Sequence, residues 1–259
     1  MSASKNVVIR TTTLNPKIDY NNKGDVWEWF ADVGIIQEPS KNVIKDYSYI
    51  NGLHRGEDIA VIGSGYSGRE VNREKLKNMI TIGVNHTIDF YVPDYLLFQD
   101  HRFLRLNKYP LETYPGTIFT ANNNPFRARS KHPRIIAFKP IHKGNTYSRD
   151  INNGLYSRVS SGICALNLAL IMGARKVYLI GCDAPKDFDK RDFTQGVHIS
   201  KNYAGGIETK EAVIGYNKSI PLYKAFQGES KRIVNVCENG LNPYFQQISM
   251  DQFNNILDK

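Results

Sequence analysis

From Asp58 onward, short apolar runs alternate with polar or glycine-rich segments. Such runs predict buried strands, and they lie at Ile59–Ile62, Met79–Val84, Tyr95–Phe98, Thr117–Thr120, Arg134–Phe138, Val177–Ile180 and Lys231–Val236. Helices are predicted at about 69–78 and at Gly162–Met172, where Gly173 ends the helix. Strands joined by single helices imply right-handed crossovers. The predicted fold class is therefore α/β, a doubly wound, mostly parallel Rossmann-like sheet.

The pattern before this alternation is less regular. Residues 1–56 are predicted to be an N-terminal extension, with a short helix at Asp25–Val33. Residues 57–259 form the main domain. Within it, about 185–212 is charged, contains two glycines and lacks apolar periodicity. A long irregular segment after a strand commonly forms a lid over an active site, so this segment is predicted to be one.

The first strand runs into the sequence Gly63-Ser-Gly65-Tyr-Ser67-Gly68. This matches G-x-G-x-x-G, but the acidic residue expected after the second strand of a dinucleotide site is replaced by Asn85. No Lys followed by Ser or Thr comes after the loop, which argues against a P-loop. The glycine loop is therefore predicted to deliver backbone N–H groups to a phosphate in a site that is not a typical NAD site.

A second motif, Ser160-Ser161-Gly162, opens the apolar helix that leads to the strand ending at Gly181-Cys-Asp183. Ligands of doubly wound sheets bind beyond the carboxyl ends of the strands. This rule predicts one crevice that contains Ser64, Ser67, Asn85, Gln99, Asp100, His101, Asp183 and Asn239. A carboxylate at such a strand end accepts hydrogen bonds from ribose hydroxyls, so the crevice is predicted to bind a nucleotide.

Composition adds a charge argument. The 259 residues carry a formal charge of +9, and no acidic residue lies between Ala121 and Arg149. A surface of one sign suits a phosphate backbone, and the predicted DNA-binding residues are Arg127, Arg129, Lys131, Arg134, Lys139 and Lys143. The alternative is a solvated rim that only attracts nucleotide phosphates. The three cysteines lack metal-site spacing and are predicted to be buried thiols. Without a signal peptide or a long apolar run, the protein is expected in the cytoplasm and away from membranes.

The order of these motifs resembles the bacterial sialyltransferases of glycosyltransferase family 42. Related motifs occur in archaeal hydroxymethylpterin pyrophosphokinase-like and flagellin-modification proteins. The resemblance covers about 58–245 and is strongest from Val159 to Asp183. It implies that the donor, a nucleotide sugar such as a UDP- or CMP-sugar, is held without a metal or other cofactor. The donor residues that it implies are Gly63, Ser64, Gly65, Ser67, Asn85, Ser160, Ser161, Gly162, Asp183, Asn239 and Gly240.

The chain departs from this family at the catalytic base. A His before the penultimate helix is replaced here by Thr209–Glu211, and His198 lies upstream. An acceptor hydroxyl needs a base within hydrogen-bond reach, and the candidates are His198, Asp100 and His101. Tyr203 and Tyr216 are the candidates for assisting departure of the phosphate.

The nature of the acceptor is a further hypothesis. The tail after Ser249 is short and nearly neutral, unlike a basic amphipathic membrane anchor. The composition, rich in Asn, Lys, Tyr and Ile, resembles that of T-even-like bacteriophage proteins. The hypothesis is transfer of a sugar, with arabinose from UDP-arabinose as one candidate, to 5-hydroxymethylcytosine in double-stranded phage DNA inside an infected host.

Three alternatives remain. The first is a sialyltransferase-like enzyme acting on an oligosaccharide or lipo-oligosaccharide. The second is a pterin-type pyrophosphokinase, in which Asp187, Asp189 and Asp192 would hold Mg²⁺. The third is a DNA-binding protein without activity.

Overall fold

The computed structural model describes residues 46–63, 65–99, 111–122, 130, 132–142, 144, 146–157, 160–182, 220–237 and 242–258. Eight parallel strands form its main sheet, in the order β10-β9-β8-β1-β2-β3-β4-β5. They are β1 (Asp58–Ile62), β2 (Ile80–Val84), β3 (Tyr95–Phe98), β4 (Thr117–Ala121), β5 (Ile135–Phe138), β8 (Lys176–Ile180), β9 (Ile233–Val236) and β10 (Gln246–Ile248). The predicted fold class is confirmed.

The other described elements flank this sheet. Strands β6 (Pro140–Ile141) and β7 (Leu155–Tyr156) pair in parallel as a small second sheet. The α-helices are α1 (Arg73–Leu76), α2 (Ser161–Ile171) and α3 (Met250–Ile256). The 3₁₀ segments are Ser48–Ile50, Tyr66–Arg69, Asn85–Asp89, Leu111–Thr113, Ile151–Asn153 and Ile220–Arg232.

The central strands are buried on both faces, which explains their continuous apolar runs. Alternate residues of β1 and β8 pack into two different cores. Val61 and Leu179 belong to the larger core, which also contains most of helix α2. Ile62 and Ile180 belong to the core on the other face, together with Phe253 of α3. Helix α2 is apolar all round because its sides face the sheet, the β6–β7 pair and the segment Ile220–Arg232.

Strand order reverses between β1 and β8, because β2 to β5 continue to one side of β1 and β8 to β10 to the other. The chain therefore leaves the two neighbouring strands in opposite directions. A crevice forms beyond the carboxyl ends of strands at such a switch point. Among the described residues, Gly63, Asn85 and Gly181 lie at this edge of the sheet.

Several predicted elements differ from the structure. The helix predicted at about 69–78 is reduced to α1 and the preceding 3₁₀ turn, because residues 70–72 between them are not helical. Between β2 and β3 the chain forms the 3₁₀ turn Asn85–Asp89 in place of a crossover helix. Lys231 and Arg232 end a 3₁₀ segment and do not begin β9. Neither β10 nor α3 was predicted from the sequence.

Residues 46–56 pack against the main domain. Ile50 is buried in the larger core, and the N–H groups of Gly52 and His54 donate to the carbonyl oxygens of Ile171 and Met172 at the end of α2. The predicted helix Asp25–Val33 and the predicted lid at about 185–212 lie outside the described residues.

Candidate functional site

The two predicted motifs meet where β1 and β8 end. A methyl group added to Gly63 would lie 2.4 Å from the carbonyl oxygen of Gly181, and one added to Gly181 would lie 2.4 Å from the carbonyl oxygen of Gly63. Gly181 also has a φ of +63°, in the left-handed region. Both positions therefore require glycine, the first because of close backbone approach and the second also because of its φ.

Hydrogen bonds close the glycine loop onto β8. The N–H of Gly63 donates to the Ile180 carbonyl oxygen at 2.7 Å, and the N–H of Gly65 donates to that of Gly181 at 2.9 Å. In return, the N–H of Gly181 donates to Ser67 Oγ at 3.0 Å. The loop was expected to offer backbone N–H groups to a phosphate. In the structure, the N–H groups of Gly63 and Gly65 donate instead to the carbonyl oxygens of Ile180 and Gly181.

Asn85 lies immediately after β2 at the same edge of the sheet. It has a φ of +50° and is the one non-glycine residue with positive φ in the described part of the chain. Asn tolerates this conformation better than most residues. Its Nδ2 donates to Ser161 Oγ at 3.3 Å, which joins the second strand to the first residue of helix α2. The structure thus brings together Asn85 and the Ser-Ser-Gly motif, which lie 76 residues apart.

The turn after β2 is held by buried polar groups. Thr87 Oγ1 donates to the Ile62 carbonyl oxygen at 2.6 Å, which ties this turn to the end of β1. His86 is buried, and its Nδ1 lies 3.0 Å from Asp89 Oδ2. These contacts fix the position at which Asn85 enters the site.

Helix α2 begins at the same place. Its N-cap residue is Ser160, whose side chain makes no capping hydrogen bond to the helix. The first N–H groups of an α-helix have no acceptor inside the helix, and the helix dipole places partial positive charge there. This end of α2 is consequently suited to an anion such as a phosphate.

Three polar side chains surround Gly162 in the first turn of α2. A methyl group added to Gly162 would lie 3.2 Å from Cys182 Sγ, 3.5 Å from Ser160 Oγ and 3.7 Å from Tyr223 Oη. Tyr223 comes from the segment Ile220–Arg232 and is 4% exposed. Burial raises the pKa of Tyr223 well above its ordinary value, the Cys182 thiol raises it further, and a hydrogen bond with the Ser160 side chain acts in the opposite direction. Tyr223 is therefore a neutral phenol at physiological pH.

Tyr223 and Cys182 were not among the predicted site residues. Cys182 precedes the predicted site residue Asp183 in the sequence and was predicted to be a buried thiol. It is partly exposed in the structure, whereas Cys164 and Cys237 are buried. Tyr223 has no recognisable sequence motif around it. Its proximity to Ser160 depends on packing between segments 63 residues apart, and the periodicity of the sequence carries no information about that packing.

The remaining predicted residues divide into two groups. All three catalytic candidates (Asp100, His101 and His198) lie outside the described residues, as do the donor residues Ser64, Asp183, Asn239 and Gly240 and the basic residues Arg127, Arg129, Lys131 and Lys143. Tyr203 and Tyr216 also lie outside them. Among the described basic residues, Lys139 is exposed directly after β5, and Arg134 is exposed directly before it. Lys139 therefore lies at the carboxyl edge of the sheet, with the site, and Arg134 lies at the opposite edge.

The described ranges contain no group of three or more His, Cys, Asp or Glu residues arranged to hold a metal ion. Within the same ranges, no helix has the length and apolar character needed to cross a membrane.

No protein-family model matches the sequence, and no curated protein matches it significantly. Several solved structures are similar, among them the following three. The MAf glycosyltransferase from Magnetospirillum magneticum AMB-1 is 14% identical with a TM-score of 0.49, over 88% of this chain and 42% of that chain. This chain thus spans less than half the length of that protein.

The other two are structures of the sialyltransferase CstII from Campylobacter jejuni with substrate analogues. One, in complex with CMP-3FNeuAc, is 17% identical with a TM-score of 0.41, over 74% of this chain and 85% of that one. The other, with cytidine-5'-monophosphate, is 14% identical with a TM-score of 0.41, over 75% and 86%.

Proposed function

We propose that this chain is a glycosyltransferase that binds a nucleotide sugar at the carboxyl edge of the sheet, where β1, β2 and β8 end beside helix α2. The observation that carries the proposal is the joining of two motifs distant in sequence. The Gly63–Gly181 backbone contact and the Asn85–Ser161 hydrogen bond bring both motifs to the switch point of the sheet, where doubly wound proteins bind their ligands.

Within this site, the donor phosphate is assigned to the amino end of α2. The N–H groups of Gly63 and Gly65 already donate to β8, whereas α2 begins with an N-cap side chain that does not cap it. Asn85 provides an amide that both donates and accepts, which suits a sugar or a base. Asp183, which follows Cys182 in the sequence, is assigned to the ribose, and Asn239 and Gly240 to the base.

The donor is a UDP- or CMP-sugar, held without a metal, and arabinose is one candidate for the sugar. The base that deprotonates the acceptor is His198, Asp100 or His101. Such a base contributes about 10²–10⁴-fold to the rate, so alanine at the correct position lowers kcat by that factor. Alanine at Asp183 instead weakens donor binding.

The acceptor is proposed to be 5-hydroxymethylcytosine in double-stranded DNA. Seven basic residues and no acidic ones lie between Ala121 and Arg149. Lys139, the described member of this stretch that follows β5, is exposed at the carboxyl edge of the sheet. A duplex that contacted this edge would present its bases toward the donor, either in the major groove or after base flipping.

The decisive experiment incubates the protein with a panel of nucleotide sugars and measures hydrolysis, then offers hydroxymethylated DNA or oligosaccharides and measures sugar transfer by mass spectrometry. Sugar on the DNA supports the whole proposal. Transfer to oligosaccharides alone supports the glycosyltransferase and refutes the DNA acceptor. If no nucleotide sugar is bound or turned over, the chain is not a glycosyltransferase.

The DNA surface has its own test. Replacing Arg127, Arg129 and Lys131 by Ala should lower the slope of log affinity against log salt by about 2.7, at about 0.9 for each lost phosphate contact. The matched control replaces the exposed residues Lys77, Lys224 and Lys231, which removes the same charge. Equal slopes for the two triple variants would mean that the stretch acts only through net charge.

A further inference from the structure

Two large apolar side chains are exposed in the segment that leads into the main domain. Tyr49 is 62% exposed and Leu53 is 46% exposed. Both belong to the turn that begins with the 3₁₀ segment Ser48–Ile50, in which the N–H of Leu53 donates to the Ile50 carbonyl oxygen at 3.2 Å. The ring of Tyr47 extends this apolar surface, since its centroid lies 6.5 Å from that of Tyr49. Exposed apolar side chains that cluster in this way indicate an interaction surface.

A guanidinium lies beside these apolar side chains. Arg55 is exposed, and its side chain turns back over the same turn, with Nη2 3.3 Å from a methyl group placed on Gly52. The nearest carboxylate along the chain, that of Glu57, bonds to Nδ1 of His54 at 2.6 Å. Within the described ranges, no carboxylate forms an ion pair with Arg55. The Tyr49 surface consists of Tyr47, Tyr49, Leu53 and Arg55, and is therefore apolar with a positive charge at its side.

The sequence that precedes the Tyr49 surface has the complementary pattern. In the helix predicted at Asp25–Val33, apolar residues recur at i, i+3, i+4 and i+7, which places them in one stripe along the helix. They are Val26, Trp29, Phe30 and Val33. Acidic residues recur beside that stripe, at Asp25, Glu28 and Asp32. Between Gly24 and Ser40 the chain contains four acidic residues and no basic one.

We propose that the Tyr49 surface is the docking site for the helix predicted at Asp25–Val33 of the same chain. The apolar stripe of that helix packs against Tyr49 and Leu53, and its acidic edge faces Arg55. The apolar contact supplies the affinity, and the opposite charges fix the orientation in which the helix binds.

The connection between the two favours the chain's own segment over a second copy. Residues 34–45 join them, and a chain of this length spans up to about 45 Å. A flexible connection this short gives an effective concentration in the millimolar range, which exceeds ordinary protein concentrations. The Tyr49 surface also lies away from the proposed donor site. The N–H groups of Gly52 and His54 donate to the last carbonyl oxygens of α2, at the end of the helix opposite its amino end.

Tryptophan fluorescence reports on this contact without a label, because both tryptophans of the chain, Trp27 and Trp29, lie in the predicted helix. Trp29 belongs to the apolar stripe, whereas Trp27 lies outside it. Two full-length variants separate the signals. In Trp27→Phe the remaining Trp29 should be protected from acrylamide quenching. In Trp29→Phe, the matched control, the remaining Trp27 should be quenched more readily.

A charge on the Tyr49 surface should release the helix. In the Trp27→Phe background, Leu53→Glu should lower the docking equilibrium constant at least about tenfold, because the burial of a leucine side chain is lost. Acrylamide should then quench Trp29 as freely as it quenches a peptide of residues 24–40 that carries the same Trp27→Phe change. Val92→Glu is the matched control, since Val92 is 44% exposed but lies between β2 and β3; it should leave Trp29 protected. A cooperative thermal transition in both variants shows that the domain is folded.

The charge contact has a separate test. In the same background, Arg55→Glu should weaken docking roughly twofold to fivefold, the range of an exposed ion pair. Adding Glu28→Arg and Asp32→Arg reverses the acidic edge as well and should restore the protection of Trp29. Weaker protection in this combined variant than in Arg55→Glu alone would contradict the proposed orientation.

Two results would overturn the proposal as a whole. The first is equal quenching of Trp29 with and without Leu53→Glu, which would mean that the Tyr49 surface does not hold the helix. The second is protection of Trp29 that disappears on dilution, which would make a second copy of the chain the occupant. Neither result bears on nucleotide-sugar binding, so the proposed function is tested independently.

Discussion

The close contact between Gly63 and Gly181 gives a prediction with a calculable size. In Gly63→Ala, the new methyl group would lie 2.4 Å from the carbonyl oxygen of Gly181, the residue that follows the neighbouring strand β8. A flexible side chain could rotate away, but here β1 and β8 must separate. Separation strains the hydrogen bonds from the N–H groups of Gly63 and Gly65 to β8, at 2.7 Å and 2.9 Å.

Overpacking of this kind costs about 1–3 kcal/mol, and each strained hydrogen bond about 0.5–1.5 kcal/mol. Gly63→Ala should therefore lower the free energy of unfolding by about 2–6 kcal/mol. For a chain of this size, about 2–4 °C per kcal/mol translates into a fall in Tm of about 4–24 °C. Donor affinity should fall as well, because the same separation displaces both motifs.

Three other glycines provide controls. A methyl group on Gly228 meets no atom within 4 Å, so Gly228→Ala should leave stability unchanged or slightly raised. Gly56 has a φ of +86° with open space around it, which isolates the cost of a left-handed alanine, about 1 kcal/mol. Gly181 combines positive φ with close contact and should be the most sensitive of the four.

Chemical denaturation of the four single alanine variants gives their free energies of unfolding, and a thermal melt checks the order. Destabilisation should increase in the order Gly228→Ala, Gly56→Ala, Gly63→Ala and Gly181→Ala. If Gly63→Ala were as stable as Gly228→Ala, the two strands would not be in backbone contact and the assembly of the site as described would be refuted.

Three further predictions follow from individual side chains. Asn85→Gly should keep the free energy of unfolding within about 1 kcal/mol of wild type because glycine accepts the positive φ, yet it should weaken donor binding about threefold to tenfold through loss of the amide. Asn85→Ala should lower both stability and donor affinity. Donor affinity equal to wild type in these variants would remove Asn85 from the site. Iodoacetamide should modify Cys182 before the two buried cysteines, and bound nucleotide should slow that reaction; early labelling of Cys164, whose pKa burial raises, would contradict this. The pKa of Glu229 is lowered chiefly by a hydrogen bond from Tyr147 and also by Arg232. The stability that Glu229 contributes is therefore complete above the ordinary pKa of a glutamate and is lost as the pH falls through the lowered pKa. In that acidic range Glu229→Gln should lose less stability than wild type, and parallel acid unfolding curves for the two proteins would refute the assignment.

The strands were predictable because they are buried on both faces, so that their sequences are continuously apolar. The bounds predicted for β3 agree with Tyr95–Phe98 in the structure. Strand β10 has the opposite character: it lies at the edge of the sheet, and two of its three residues are exposed. Its residues Gln246–Ile248 thus lack the apolar run by which strands were identified. Helix α3 has a capping box formed by Ser249 and Gln252, a pattern that is visible in the sequence as Ser followed three residues later by Gln.

For the site, the sequence pointed to motifs that the structure brings together, but it did not show how each glycine acts. Gly63 and Gly65 fitted a phosphate loop by pattern, because a glycine pattern does not state why glycine is required. The structure supplies the reason: Gly63 faces the Gly181 backbone, and the Gly65 N–H bonds to the Gly181 carbonyl. Such a contact between residues more than a hundred positions apart follows from the pairing of β1 with β8, which no local pattern encodes.

The two glycine-containing motifs are therefore parts of one structural unit. Because β1 and β8 are neighbours at the switch point, the chains leaving them must approach each other closely before they diverge, and only glycine at both ends permits this approach. The contact engages the N–H groups of Gly63 and Gly65, so these two groups are not available to an anion. The resemblance to a dinucleotide loop is in this view a consequence of strand packing. The proposed phosphate-binding role therefore falls to the amino end of α2, where the side chain of the N-cap residue Ser160 makes no capping hydrogen bond.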